Sequence, residues 1–377
     1  MIDDAHLAHG LAGDQLVPDW PPLEANEVSS VVTRIPGLGA LQTIEWRSPR
    51  PLSAAALVAT ANGRVFVKRH HRSVRTEATL GEEHRFATHL RERGVPMPRV
   101  LHDADGATAI GIADWVYEIH EPARGTDIYR DAFSWSPIGG RGHALAAGAM
   151  LARLHVAAEH HEAPQRRTHI LVARADILAS NDPLEAIAAQ LPSRPGLARY
   201  LAARDWRSEI GTAIVPWHDR VAARLRAEPP LWTHGDWHVS NLCWSGPEDD
   251  AAITDVLDVG LAARTFAMFD LATAIERNAI AWLEVERGDI ARHDLALAIV
   301  AGYRSVRPLD AAAMDLLAEL LPLVHLDFAL SEVEYFEGIT KRRDHADVAY
   351  HTFLRGHAAW FAGARGQALL EAIRSAA

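Results

Sequence analysis

The chain has a single cysteine, Cys243. No intramolecular disulfide can form, so folding requires no oxidising compartment. Long apolar runs are missing too. The most apolar stretch, residues 144–158, is broken by Arg153 and His155, and nothing approaches the ~20 apolar residues that cross a bilayer. Residues 1–9 are acidic and polar, without the basic start and apolar centre of an export signal. Basic excess is absent: the formal net charge is −11 and the pI about 6.0. A chain so balanced is poorly equipped to hold a nucleic-acid backbone, which requires clustered Lys and Arg. These absences predict a soluble, cytoplasmic protein with no membrane or nucleic-acid partner, and they leave room for a cationic ligand.

What is present is ordinary globular composition, 49% hydrophobic and 23% charged over 377 residues. That length exceeds the roughly 250–300 residues of one compact core, so two lobes are expected. Residues 1–22 end in Pro18, Pro21 and Pro22 and read as a loosely held arm. Residues 23–35 read as a short amphipathic helix. Short β-prone runs follow at 43–46, 56–60 and 65–67, with the hairpin signal Asn62-Gly63 between the last two. Residues 75–93 predict a helix ended by Gly94, and two more strands are expected at 100–102 and 113–120. Beyond residue 120 the pattern turns helical, at 142–159, 197–224, 265–286, 290–304, 310–337 and 345–374. The expected organisation is thus α+β: a small antiparallel-sheet lobe with one main helix at 23–119, then a larger, mostly helical lobe at 120–377.

One β-like island, 231–259, interrupts the helices and carries most of the polar signature residues. It reads Leu231-Trp-Thr-His234-Gly235-Asp236-Trp237-His238-Val-Ser-Asn241, and then Ile253-Thr-Asp255-Val-Leu-Asp258-Val-Gly260. Asp270-Leu-Ala follows twelve residues after Asp258. Phosphoryl transfer needs one carboxylate beside the attacking hydroxyl and oxygen ligands for Mg²⁺. An Asp and an Asn five residues apart on one loop can supply the base and a ligand. An Asp on the next β-segment can supply another, and Asp255 competes with Asp258 for that place. His234 and His238 are four apart, but Gly235 argues against the helix a zinc pair would need.

This pattern, H-G-D-x-x-x-x-N followed by Asp258 and Asp270-Leu-Ala, resembles the aminoglycoside phosphotransferase and choline kinase family, which shares the two-lobed protein-kinase-like fold. The resemblance covers roughly residues 23–278 and implies an ATP- and Mg²⁺-dependent kinase acting on a small-molecule hydroxyl. Asp236 would be the catalytic base, and Asn241 and Asp258 the metal ligands. Asp270 would hold the catalytic loop that His234 opens. Valine follows Asp258 where the family usually has phenylalanine. The same resemblance implies a phosphate-binding lysine, Lys68, at the end of a strand, and a glutamate to hold it, Glu83, on the next helix. The loop over the phosphates, residues 48–55, contains no glycine, and Ser53 is its candidate donor. Backbone groups of 117–120 would meet the adenine.

Four further residues are candidates for the acceptor side. Trp237 and His238 adjoin the base, and Asp327 and Glu334 belong to an acidic stretch at 321–340 that also holds Glu332 and Glu337. In similar kinases such acids bind substrate amines; the alternative is a solvated acidic face. His70-His71 reads as a surface pair. The rival functions are a nucleotide-binding pseudokinase with a regulatory role and a Ser/Thr protein kinase. The second is disfavoured because the Gly-rich loop, the arginine of the catalytic loop and an A-P-E segment are all missing.

Overall fold

Period-two patterning and tight turns produce a five-stranded antiparallel sheet in the order β1-β2-β3-β5-β4. Its strands are β1 (Leu41–Arg47), β2 (Ala54–Thr60), β3 (Gly63–His71), β4 (Ile110–Ile112) and β5 (Trp115–His120). The structure, a computed structural model, describes residues 18–48, 50–130, 132, 135–287 and 289–376. Gly63, at φ +147°, closes the β2–β3 hairpin. The predicted strand at 100–102 reduces to a single bridge between Val100 and His120, and β4 takes the edge instead.

Alternation along the strands separates two chemistries. One face presents Val65, Val67, Tyr117 and Ile119, which form a small apolar core with Val28, Val31 and Val32 of helix α1 (Ala25–Val32). The other face carries Lys68, His70, Glu118 and His120. Helix α2 (Glu77–Glu92), capped by Thr76, lies beside that polar face. Its apolar residues Phe86, Ala87 and Leu90 belong to the large core of the second lobe, where Phe86 meets Trp232 at 5.4 Å. Helix α2 is therefore joined to the large lobe by apolar packing and to the sheet by polar contacts.

The second lobe is built from α3 (Arg141–Ala158), α4 (Pro183–Gln190), α5 (Pro195–Ala202) and α6 (Trp206–Leu225). Four short strands follow: β6 (Leu231–Thr233), β7 (Leu242–Trp244), β8 (Ile253–Val256) and β9 (Ala263–Thr265). They pair as two antiparallel ribbons, β6–β9 and β7–β8. The rest is helical: α7 (Ala267–Ala279), α8 (His293–Arg304), α9 (Ala311–Leu320), α10 (Leu326–Tyr335), α11 (Arg343–Val348), α12 (His357–Ala362) and α13 (Ala364–Ser375). The long helices expected at 197–224, 310–337 and 345–374 are each broken, the last two partly by π-helical turns over Phe336–Thr340 and Ala349–Gly356. Among the described residues no helix is long and apolar enough to cross a membrane.

Helices α3 and α8 cross backbone to backbone. A Cβ on Gly148 would fall on the Ile299 carbonyl, and one on Gly302 on the Leu145 carbonyl. Gly148→Val is expected to lower stability by about 3 kcal/mol, at the upper end of overpacking costs, because backbone cannot yield as a side chain does. Chemical denaturation would measure it, and an unchanged midpoint would refute the close approach.

The first 17 residues of the expected arm lie outside the described residues. The rest of it, 18–22, is tied at several points. Trp20 stacks on His71 at 4.9 Å and donates its indole N–H to the Tyr335 hydroxyl at 3.1 Å. That hydroxyl donates to Asp19 at 2.9 Å, and Arg69 holds the Pro21 carbonyl. The segment thus touches both the sheet and α10, which corrects the expectation of a loose arm over these five residues.

Candidate active site

The turn after β6 requires Gly235. It sits at φ +76°, and a Cβ there would lie 2.7 Å from the Leu261 carbonyl oxygen. Asp270, fully buried on the first turn of α7, accepts the backbone N–H groups of His234 and Gly235, both at 2.8 Å. His155 of α3 contacts the same carboxylate at 3.1 Å and the Tyr303 hydroxyl at 2.8 Å. The His234 ring meets the Leu257 carbonyl at 2.9 Å, tying this loop to the segment that carries Asp258. Asn278 adds a second clamp, donating to the Trp237 carbonyl at 2.8 Å and accepting from the Val239 N–H at 3.0 Å.

Asp236 stands at the tip. The Asn241 amide donates to its carboxylate at 3.1 Å and to its carbonyl at 2.9 Å. That spends the amide nitrogen and leaves the carbonyl oxygen as the end able to take a cation. His238 Nε2 is 3.5 Å from the carboxylate. The remaining partner was not read from the sequence: Arg277 of α7 makes an ion pair with Asp236. Its guanidinium lies 4.8 Å from the Trp135 ring and 5.0 Å from that of Phe328. Burial works to raise the Asp236 pKa, but Arg277 foremost, with His238 and His234, holds it far below the usual carboxylate range.

Across the cleft, Lys68 reaches from β3 to Asp258, with ammonium-to-carboxylate distances of 3.0 and 3.1 Å. Lys68 and Lys341 are the chain's two lysines. Where the other ion pairs among the described residues use arginine or histidine, this one presents a compact point charge suited to phosphate oxygens. Asp258 adopts left-handed backbone, φ +52°, and accepts the Gly260 N–H at 3.1 Å. Burial opposes its ionisation, yet the Lys68 ammonium depresses its pKa. Asp255 is engaged otherwise: Arg124 takes it through its backbone N–H at 2.8 Å and its guanidinium at 3.1 Å. The donors left for a metal, the Asp258 carboxylate and the Asn241 carbonyl, are hard oxygens that fit Mg²⁺.

Glu83 lies near enough for its charge to favour the Lys68 ammonium, with no hydrogen bond between them among the described residues. Its carboxylate is taken by Arg75 at 2.6 Å and Arg166 at 2.5 Å, two buried guanidiniums that arrive from before α2 and from the loop after α3. The neighbouring Glu82 is held by Arg166 and Arg167. Ser53 is half-buried at the exit of the β1–β2 loop. In that same loop Arg50 interacts electrostatically with Asp127 and Asp236, so it brings the loop's positive charge toward the catalytic carboxylate.

Three expectations for the acceptor side need correction. Trp237 is fully buried, edge-on to His234 at 5.3 Å, and lines no cleft. The 321–340 acids are not a solvated face. Asp327 and Glu334 are buried; Glu334 accepts the N–H groups of Gly196 and Leu197 at the start of α5, and Asp327 faces the Ile177 N–H at 3.4 Å. Glu337 pairs with Arg199 and Arg343. Glu332 is the member of this stretch turned toward Arg277 and Asp236. It is joined by Glu276, which the sequence did not single out. Glu276 is faced by His357 at 2.9 Å and His325 at 3.8 Å, and a Glu332 oxygen lies 4.0 Å from His325. Burial pushes each acid up to about 8, against the pull of Arg277.

Comparison with known proteins agrees with this geometry. The chain is 28% identical over 310 residues to an uncharacterized protein of Deinococcus radiodurans, covering 78% of this chain and 76% of that one. It shares its fold with the microcompartment-associated aminopropanol kinase (TM-score 0.56, 16% identity, 92% of this chain and 100% of that one). The amicoumacin kinase hAmiN, solved with AMP-PNP, Ca²⁺ and Ami, is similar as well (TM-score 0.55, 14% identity, 88% and 95%). These likenesses establish the protein-kinase-like fold. The family model of the APH phosphotransferases matches residues 52–309, more than half of the sequence. The chain belongs to the phosphotransferase enzyme family.

Proposed function

We propose that this kinase moves the γ-phosphate of ATP, held with Mg²⁺, to the hydroxyl of a small molecule that also carries an amine. The observation that carries the reading is the meeting of Asp236, Asn241, Lys68 and Asp258 at one cleft, with two buried carboxylates, Glu276 and Glu332, beside Arg277. Lys68 and Arg50 would neutralise phosphate oxygens. Asn241 and Asp258 would hold the metal, whose charge would screen the triphosphate. Asp236 would orient the acceptor hydroxyl. That oxygen attacks the γ-phosphorus, the bond to the β-bridging oxygen breaks, ADP leaves with the electron pair, and Asp236 takes the proton. A weak base suffices because the transition state is loose. Two buried carboxylates acting on one another favour a cation, and an ammonium beside the Trp135 and Phe328 rings would supply it. ADP release from Mg-ATP against a panel of amino alcohols and matched neutral alcohols tests this. Release confined to neutral alcohols would overturn the amine, and no release with any acceptor would favour the pseudokinase.

The raised acids give the amine a pH signature. A carboxyl whose folded pKa is lifted to about 8 from an unfolded value near 4.5 takes up a proton on folding. Its stabilising contribution is complete below about pH 4.5 and is lost as pH rises through about 8. An ammonium ligand needs the ionised acids, so its affinity is expected to rise several-fold between about pH 6 and 8.5. The thermal shift it causes should grow in step. Glu332→Gln should flatten both trends; equal slopes in the two proteins would refute the role of this acid.

A further inference from the structure

The polar face of the N-terminal sheet holds a second cluster that phosphoryl transfer does not use. Glu118 of β5 is buried, and three imidazoles from three elements converge on its carboxylate. His84 Nε2 of α2 lies 2.8 Å from one oxygen and His120 Nε2 of β5 lies 2.9 Å from the same oxygen. His70 Nε2 of β3 lies 3.0 Å from the other. His70 was expected at the surface and is buried instead. The His84 and His120 nitrogens and the Glu118 oxygen all fall within 4.8 Å of one another.

Neutralising one carboxylate does not require three imidazoles. Lys68 stands directly opposite Glu118 in the β3–β5 register and already adds positive charge there. Ligand atoms about 2.0–2.1 Å from a tetrahedral ion stand about 3.3 Å apart, so the two imidazole-to-carboxylate contacts need to open by only about half an ångström to admit one. The far nitrogen of His84 is fixed by the Thr108 hydroxyl at 2.8 Å, the kind of outer contact that orients a metal-bound imidazole. His120 remains partly exposed, 23% at its side chain, and gives solvent a route in. Imidazole with carboxylate suits a borderline ion such as Zn²⁺, whereas the all-oxygen pair Asn241 and Asp258 suits Mg²⁺.

We propose that His84, His120 and Glu118, with His70 at the second carboxylate oxygen, bind a divalent transition ion of the zinc type beside Lys68. The ion would fasten α2 to the sheet. That link is otherwise thin, because the apolar face of α2 packs on the large lobe and Glu83 is spent on Arg75 and Arg166. The site stands independently of the acceptor assignment.

The test is metal binding by the full chain after chelation and dialysis, with Zn²⁺ titrated by calorimetry and Co²⁺ followed by its visible ligand-field absorption. In the wild type, one equivalent should bind with Co²⁺ bands of a low-coordinate imidazole site, and excess Mg²⁺ should not displace it. His120→Asn, which alters the partly exposed ligand and spares the core, should weaken that equivalent by at least about tenfold, the loss that even outer partners cause. The His84→Gln/His120→Asn pair should abolish it. Glu276→Gln serves as control for the separate Glu276, His325 and His357 group and should leave the metal equivalent and its Co²⁺ spectrum as in the wild type. The proposal is overturned if the wild type takes up no such equivalent, if His120→Asn leaves affinity and spectrum intact, or if Glu276→Gln is the variant that loses the ion.

Discussion

Asp236→Asn is expected to lower turnover by about 10²–10⁴-fold, the range that a positioned general base contributes, while Mg-ATP affinity stays close to that of the wild type. The amide keeps the shape of the side chain and can still meet the Asn241 amide, but it cannot take the hydroxyl proton. It also releases Arg277, whose ion pair with Asp236 is the first attraction holding that carboxylate ionised. A guanidinium set free beside Glu276 and Glu332 would lower the pKa of both acids. The variant should therefore show a second effect, an acceptor affinity that depends less on pH. Isothermal titration with nucleotide, alongside ADP release, separates the steps. Turnover within threefold of wild type would remove Asp236 from the chemistry. A collapse of nucleotide binding would mean that Asp236 acts mainly in arranging the metal.

Asp270→Ala is expected to cost about 3–5 kcal/mol of stability, the range for stripping one partner from a buried charged pair. The carboxylate is the common acceptor for two backbone N–H groups and His155, all fully buried. Its removal leaves three donors without water or protein in reach, and each orphan costs about 1–3 kcal/mol before relaxation. The loop it secures carries Asp236, so activity should fall even where the fold survives. Asp270→Asn can meet one backbone donor but not both with the same charge, and should fall between. Equilibrium denaturation measures the loss; a midpoint within experimental error of wild type would show that water replaces the carboxylate.

The parts of this molecule legible in the sequence are those whose causes are local. Asn62-Gly63 marks a hairpin because only residues nearby decide it. The spacing from His234 to Asn241 and on to Asp270 fixes a loop and its clamp within forty residues. What escaped reading depends on partners far along the chain. Glu83 looked suited to Lys68 by its place on α2, but Arg166, 83 residues later, claims it. Arg277 and Glu276 sit on a helix already recognised for Asp270, with nothing in their spacing to say that the first pairs with Asp236. The acids at 321–340 were read as one face of a long helix. Instead they divide: Glu332 and Glu334 lie on α10 itself, two positions apart and so turned about 200° from one another, toward different neighbours. His155 looked like an interruption of an apolar run and is instead the buried support of Asp270.

The clasp at Asp19 and Trp20 changes how such an enzyme can breathe. Two bodies joined by one covalent crossing can swing about any axis through it. Here Trp20, seated on His71, also grips Tyr335 at the end of α10, three residues beyond Glu332. This clasp adds to the packing of α2 on the large lobe and to the Lys68–Asp258 pair in restricting how the sheet can tilt. Helix α10 is thereby yoked to β3, the strand that carries Lys68, so a tilt of the sheet pulls on the helix that carries Glu332.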